Sequence, residues 1–184
     1  MEEIINESFE VEDNEILIDE MMRNYGQEVL QLVYSYVKNQ GIAEDLTQDI
    51  FVKCYKSLHT FKKNSKLKTW LWRIAINHCK DYLKSWYNNK VIVSESDLTY
   101  TLNKDKSIED TVIQKEEDEQ LTSAVMNLPV DYREVIYLFY FEEMSIKEIA
   151  NVTEENSNTV KTRLRRAKTI LQEQLGVETN GRPS

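Results

Sequence analysis

The 184-residue chain has few residues that break helices, with only four glycines and two prolines. An all-β protein turns often and draws on both residues at its turns, so the scarcity favours an all-α reading. Histidine and cysteine are equally scarce, at two each. Cys54 and Cys79 sit within helical patterns without C-x-x-C spacing, and His59 and His78 form no ligand cluster with them. They read as buried thiols in a reducing compartment, with no metal and no cofactor. Enzymes that act on nucleic acid through a metal cluster His, Cys, Asp or Glu; no such cluster is visible, and no catalytic residue is assigned. No apolar run reaches the roughly 18 residues of a membrane span. The N-terminus lacks the basic-then-apolar order of a signal peptide. The expectation is a cytoplasmic protein without membrane insertion.

Apolar residues make up 41% of the chain, enough for a core in one or two small domains. The net charge is −9, which on average opposes nucleic acid, but the average hides the distribution. Residues 1–20 carry nine acids and no base, and residues 109–119 carry six acids and one base. The bases gather in 61–90 and 161–168. Local charge, more than net charge, decides where a polyanion binds.

The stretch from Lys66 to Trp86 is the centre of the first basic region. At 100° per residue, Leu71, Trp72, Ala75, Ile76, Cys79, Tyr82, Leu83 and Trp86 form a broad apolar arc. Arg73, Asn77, Lys80 and Lys84 form the opposite stripe, with Trp70 and Asp81 at its flanks. Lys62, Lys63, Lys66 and Lys68 lead into it, so that 61–90 holds eight bases and one acid. Cations beside an indole suit a single strand, because phosphates need charge and unstacked bases need flat partners. The same pattern also suits a solvated basic face over core tryptophans.

Other segments divide the chain. Residues 1–14 form an acidic arm with few large apolar groups. Leu17, Met21, Tyr25, Leu32 and Tyr36 mark a helix closed by Asn39, Gln40 and Gly41. Ala43 to Leu58 is a second helix, with Leu46, Ile50, Cys54 and Leu58 at steps of four. Its first turns expose Glu44, Asp45, Gln48 and Asp49, which serve either the helix dipole or a basic partner. Residues 88–112 are polar without helical period and read as a flexible linker, which separates a 15–87 domain from one spanning 113–176. Residues 177–184 are a tail. In the second domain a helix ends at Pro129. Val135 to Phe141 is a run of β-branched and aromatic residues that suits a buried strand as well as a helix; Asp131 as a plausible N-cap and the short helices around it favour a buried helix.

Ser145 and Glu148 form a capping box that opens a short helix. After a polar turn, a longer helix runs from Ser157 to Leu175, closed by Gly176. Val160, Leu164, Ala167 and Leu171 share one face. Thr162, Arg165 and Thr169 point away from it, with Lys161 and Arg166 beside them and Arg163 and Lys168 on the flanks. Short helix, turn and basic helix is the helix-turn-helix arrangement, whose second helix enters a major groove. A surface helix with a basic face is the plainer reading; five bases and no acid between Lys161 and Lys168 favour DNA.

The phrases AEDLTQDIFVKCYKSLHTF, LKTWLWRIAINHCKDYLK, LPVDYREVIYLFYFEEMSIKEIA and NTVKTRLRRAKTIL, in this order, resemble bacterial RNA polymerase sigma factors of the extracytoplasmic-function group. The resemblance covers about 20–88 and 113–175. It implies a factor that binds core polymerase through the β′ clamp helices and the β flap and directs it to promoters. Glu44, Asp45, Gln48 and Asp49 would then face polymerase. Lys63, Lys66, Trp70, Arg73, Asn77, Lys80 and Lys84 would hold the melted −10 element. Ser157, Asn158, Lys161, Thr162, Arg163, Arg165, Arg166 and Lys168 would face the −35 duplex. An anti-sigma factor is a further expected partner. The family's turn often has Gly, Pro and Gly where this chain has Glu154, Asn156 and Asn158. A free-standing helix-turn-helix regulator is the alternative, and it leaves the first basic region unexplained.

Overall fold

The structure, a computed structural model, describes residues 2–61, 66–93 and 114–176. Helix α1 spans Glu2–Val37, α2 Gln40–Ser57 and α3 Leu67–Val93, with a single 3-10 turn at Leu58–Thr60. Helices α4 (Gln114–Asn127), α5 (Val130–Ile136), α6 (Ile146–Thr153) and α7 (Ser157–Leu175) build the second domain. The described residues contain no strand, as the shortage of turn residues implied.

The first domain packs α1, α2 and α3 by their apolar stripes. Val29, Leu32 and Val33 of α1 meet Ala43, Ile50 and Cys54 of α2 and Leu71, Ala75 and Ile76 of α3, all fully buried. Trp72 lies at the centre of this core, edge-on to Tyr25 at 5.8 Å. Burial of each such side chain contributes roughly 1.5–3 kcal/mol. Trp86, placed by periodicity on the apolar arc, is instead 37% exposed, because it lines an open cleft with Tyr36, Val37 and Ile42 rather than a closed core. The α1–α2 junction is tighter than expected. Lys38 turns the chain with a left-handed φ of 56°, and Asn39 then caps α2 by accepting from the Ile42 N–H at 2.9 Å. Gly41 is therefore inside α2 rather than a helix end. Likewise α3 continues to Val93, six residues into the stretch read as linker; residues 94–113 lie outside the described set.

In the second domain α7 lays Val160, Leu164 and Ala167 onto Val135, Leu138, Ile149 and Val152. Pro129, not Asp131, occupies the N-cap of α5. Asp131 stands in the first turn, where it favours the helix dipole and reaches Arg163. Helix α5 then widens into a π turn over Tyr137–Phe141, closed by the Glu142 N–H on the Tyr137 carbonyl at 3.2 Å. The extra residue per turn keeps Leu138 inside but swings Tyr140 and Phe141 outward, so the run is helical and only partly buried.

The two domains touch. Helix α1 packs on α5, and α3 packs on α6. Arg133 of α5 is 5% exposed and crosses this boundary, donating to the Ser35 and Tyr36 carbonyls of α1 and to the Met126 and Leu128 carbonyls at the end of α4. Neither α1 nor α4 has a base in its own last turn, and one guanidinium serves the orphan carbonyls of both.

Candidate nucleic-acid and polymerase interfaces

On α2, Glu44, Asp45, Gln48 and Asp49 are all exposed, while Ala43, Leu46 and Ile50 between them are buried. Because α2 begins at Gln40, its first turn contains no acid. The dipole's influence fades within that turn, so it does not account for four polar residues lying deeper in the helix. Gln40 donates to Glu44 at 2.7 Å, and Asp49 lies 4.0 Å from His78. Asp45 is left open to a partner's cation.

On α3, the polar stripe forms as expected, but the second domain covers its middle. Arg73 donates to the Asn151 side chain of α6. Lys80 donates to the Thr153 carbonyl at 3.3 Å and lies 3.0 Å from the Glu134 carboxylate. Asn77 between them is half-buried, and Lys66 and Lys84 at the stripe's two ends are exposed. Trp70 is half-buried, its ring 5.4 Å from that of Phe61. Lys68 sits 4.6 Å above the Trp72 ring and pairs with Glu28 at 2.6 Å and Glu142 at 3.2 Å. Burial disfavours its charge, but these two carboxylates outweigh that and raise its pKa. Lys63, expected beside it, lies outside the described residues.

On α7, the phase read from the sequence holds. Lys161, Arg165, Arg166 and Lys168 are exposed opposite the buried Val160–Leu164–Ala167 face, with Thr162 half-buried. Asn156 caps the helix by accepting from the Asn158 N–H at 2.8 Å, leaving the Asn158 side chain exposed and Ser157 at the first helical position. The turn before it depends on Glu154, which ends α6 at φ 57° and ψ 33°, the left-handed conformation glycine adopts freely. Asn156 is extended and Asn158 helical, so neither needs glycine's freedom. The capping box forms as read, with the Ser145 hydroxyl and Glu148 carboxylate bonded reciprocally across the first turn of α6. Lys168 lies over the rings of Phe139 and Tyr140 at 5.8 and 5.5 Å.

Arg163 departs from its expected outward role. It is drawn back into its own domain by Glu155 at 3.1 Å, Asp131 at 3.5 Å and Glu134 at 4.0 Å. Glu134 is the residue that reading the sequence missed. It is 2% exposed, accepts from the Tyr36 hydroxyl at 2.6 Å and meets Lys80, and burial pushes its pKa upward. The signal was available: Val130, Glu134 and Leu138 stand at steps of four, so the acid shares the phase of apolar neighbours.

Two family models match the chain, Sigma-70 region 2 over residues 21–87 and Sigma-70 region 4 over residues 118–171. The RNA polymerase sigma factor SigV of Bacillus subtilis is 35% identical over 84% of this chain and 89% of its own. The extracytoplasmic-function factor SigM of the same organism is 33% identical over 80% and 90%. Among solved structures, the sigma factor RpoE of Bartonella quintana in complex with the anti-sigma factor NepR shares the fold with a TM-score of 0.68. It is 23% identical and covers 87% of this chain and 97% of that one. The match spans both basic helices, the acidic face of α2 and the turn between α6 and α7. The chain belongs to the extracytoplasmic-function group of RNA polymerase sigma factors, which bind core RNA polymerase and direct it to initiate transcription at specific promoters.

Proposed function

We propose a division of that activity among three surfaces. Glu44, Asp45, Gln48 and Asp49 dock on a basic surface of polymerase, the β′ clamp helices. Lys63, Lys66, Trp70, Arg73, Asn77, Lys80 and Lys84 hold the melted −10 strand, the lysines and Arg73 on phosphates and Trp70 against a base. Helix α7 enters the −35 major groove. There Thr162 and Arg165 reach base edges, Ser157, Asn158, Lys161, Arg166 and Lys168 hold phosphates and edges around them, and Arg163 joins them once its acids let go. The second domain also meets the β flap. The observation that carries this reading is the pair of cationic helix faces, α3 and α7, one in each domain of a chain whose net charge is −9. A free-standing helix-turn-helix regulator has no use for the first of them.

Two structures with this fold, RpoE and CnrH, were solved with the proteins NepR and CnrY. An anti-sigma factor of comparable kind is the proposed regulator here, and the cytoplasm the proposed compartment. The surfaces are non-catalytic: they bind and position, and polymerase performs the chemistry. The test is a gel shift on promoter duplex with and without core polymerase, followed by transcription from the same template. The expected result is specific binding and initiation only when polymerase is present. Tight, specific duplex binding by the chain alone would favour the free-standing regulator. A template already melted at −10 should rescue initiation by a Lys80→Ala holoenzyme only if Lys80 acts in opening the strand.

A further inference from the structure

We propose that the cleft between α3 and the start of α5 is a binding site for a small planar anion of the nucleoside phosphate class. The cleft has a volume of about 290 Å³ and is walled by both domains, with α1, α2 and α3 on one side and the α4–α5 junction on the other. That is the lower end of the size range of small-molecule sites, which favour domain boundaries. Trp86, Tyr87 and Tyr82 of α3 and Tyr36 of α1 supply its rings, and Lys38 and Arg133 its cations. Among the described residues no carboxylate lines it, in a chain whose net charge is −9. None of these residues belongs to the surfaces proposed for polymerase or promoter.

Charge and flat apolar surface together select the ligand. Lys38 is exposed and has no acidic partner among the described residues; the charge it meets is another cation, Arg133. Partial burial and the Arg133 guanidinium hold the Lys38 ammonium below its ordinary pKa. Two cations that meet without a carboxylate between them are relieved by an anion. Arg133 spends four donors on the Ser35, Tyr36, Met126 and Leu128 carbonyls, which leaves one of its five N–H groups. Glu134, which holds the Tyr36 hydroxyl, is already matched by Lys80 and Arg163. The apolar surface is Trp86 and Tyr87, 37% and 57% exposed, with rings 5.1 Å apart and nearly perpendicular. Exposed rings of this kind stack on a base whatever its sequence identity. Lys90 lies over the Trp86 ring at 4.3 Å and brings a third cation to the same place. An inorganic anion leaves these rings unused, and an uncharged ring leaves Lys38 and Arg133 unmatched. A ligand that carries both a base and a phosphate meets both. Because the walls come from two domains, a bound ligand also favours the arrangement in which they pack.

Isothermal titration calorimetry of the full chain tests the site with guanosine monophosphate as the probe. Guanosine, a ring without charge, and inorganic phosphate, a charge without a ring, are the two comparisons. The nucleotide should bind one to one and at least about tenfold tighter than either fragment, since charge-assisted hydrogen bonds and stacking then act together. It should also raise Tm by mass action on the folded state. Two variants locate the ligand. Lys38→Asn removes the ammonium and suits the left-handed backbone at that position, which asparagine tolerates. It should weaken the nucleotide about tenfold and leave guanosine unchanged. Trp86→Ala should weaken nucleotide and guanosine alike. Both side chains are exposed, and circular dichroism should show both variants folded. No binding of the nucleotide at millimolar concentration overturns the site. Equal affinity for nucleotide and phosphate overturns the stacking, and with it the ligand class. Loss of binding in Arg165→Ala but not in Lys38→Asn or Trp86→Ala puts the nucleotide on the basic face of α7 and also overturns the proposal. So does an acidic, aromatic peptide that binds the cleft where the nucleotide does not, since the cleft then takes a polypeptide.

Discussion

Glu154 is strained, and replacing it with glycine should stabilise the protein. Its φ of 57° and ψ of 33° place an L-residue in the left-handed region, at a cost of roughly 1–2 kcal/mol. The strain is local, since the side chain is exposed and the N–H keeps its bond to the Ala150 carbonyl whatever residue stands there. Glycine relieves the steric cost but adds freedom to the unfolded chain, which takes back about 0.4–1 kcal/mol. The expected net gain for Glu154→Gly is about 0.5–1 kcal/mol, or roughly 1–4 °C in Tm for a chain of this length. Glu154→Asn should fall between, because asparagine visits this region more readily than glutamate. Glu154→Ala should give no gain, since its Cβ meets the same clash. Scanning calorimetry of the full chain measures all three. The angle between α6 and α7 is already the one glycine would hold, so −35 preference in the holoenzyme should not change. A loss of stability in Glu154→Gly, or an equal gain in Glu154→Ala, would show that the backbone is not strained and that the glutamate's charge decides the result.

Asp45→Lys with Asp49→Lys should weaken binding to core polymerase, measured by fluorescence competition, while changing folding stability by less than about 0.5 kcal/mol, because both acids are exposed beyond the dipole's reach. Arg165→Ala should relax preference at one −35 base pair by about 1–3 kcal/mol, and Lys168→Ala should weaken holoenzyme binding evenly across a single-base −35 library and lower the salt slope by about one unit. The reverse assignment of effects would mean that α7 docks at a different rotation. Hydrogen bonds from Ser145 hold the Glu148 carboxyl below its usual 4.5, so the capping box adds stability above that pH and loses it as pH falls through the lowered value. In thermal melts, Glu148→Gln should flatten that part of the pH profile.

Much of this was legible in the sequence because helical period reports burial directly. The buried face of α7, the capping box, the closing Gly176 and the inward Cys54 and Cys79 all follow from local spacing. What was not legible depends on one domain meeting the other. Arg73 and Lys80 read as solvent-facing because nothing local to α3 covers them; Asn151, Thr153 and Glu134 lie more than fifty residues away in the chain. Arg163 read as a flank cation because Asp131 and Glu134 belong to another helix. Trp86 shows the opposite error, since an apolar phase gives the direction of a side chain but not whether its neighbours close over it; here they leave an open cleft.

The acidity of the chain then acquires a structural meaning. Five carboxylates, on Glu28, Asp131, Glu134, Glu142 and Glu155, stand against cations of the two basic helices. On the proposed assignment of α3 and α7 to promoter DNA, phosphates would compete with these carboxylates for the same cations. The partly exposed pairs Lys68–Glu28 and Arg163–Asp131 contribute only about 0–1 kcal/mol each, whereas the carboxylates of Glu134 and Glu142 are buried and leaving them unpaired is costly, so promoter DNA alone gains little by displacing them. The acidic face of α2 is outside this exchange and is exposed. Polymerase docked there adds free energy that the internal carboxylates do not oppose. It also places promoter beside both helices, where the released cations meet phosphates at high local concentration. On this argument the requirement for core polymerase follows from where the negative charges sit, more than from their sum of −9.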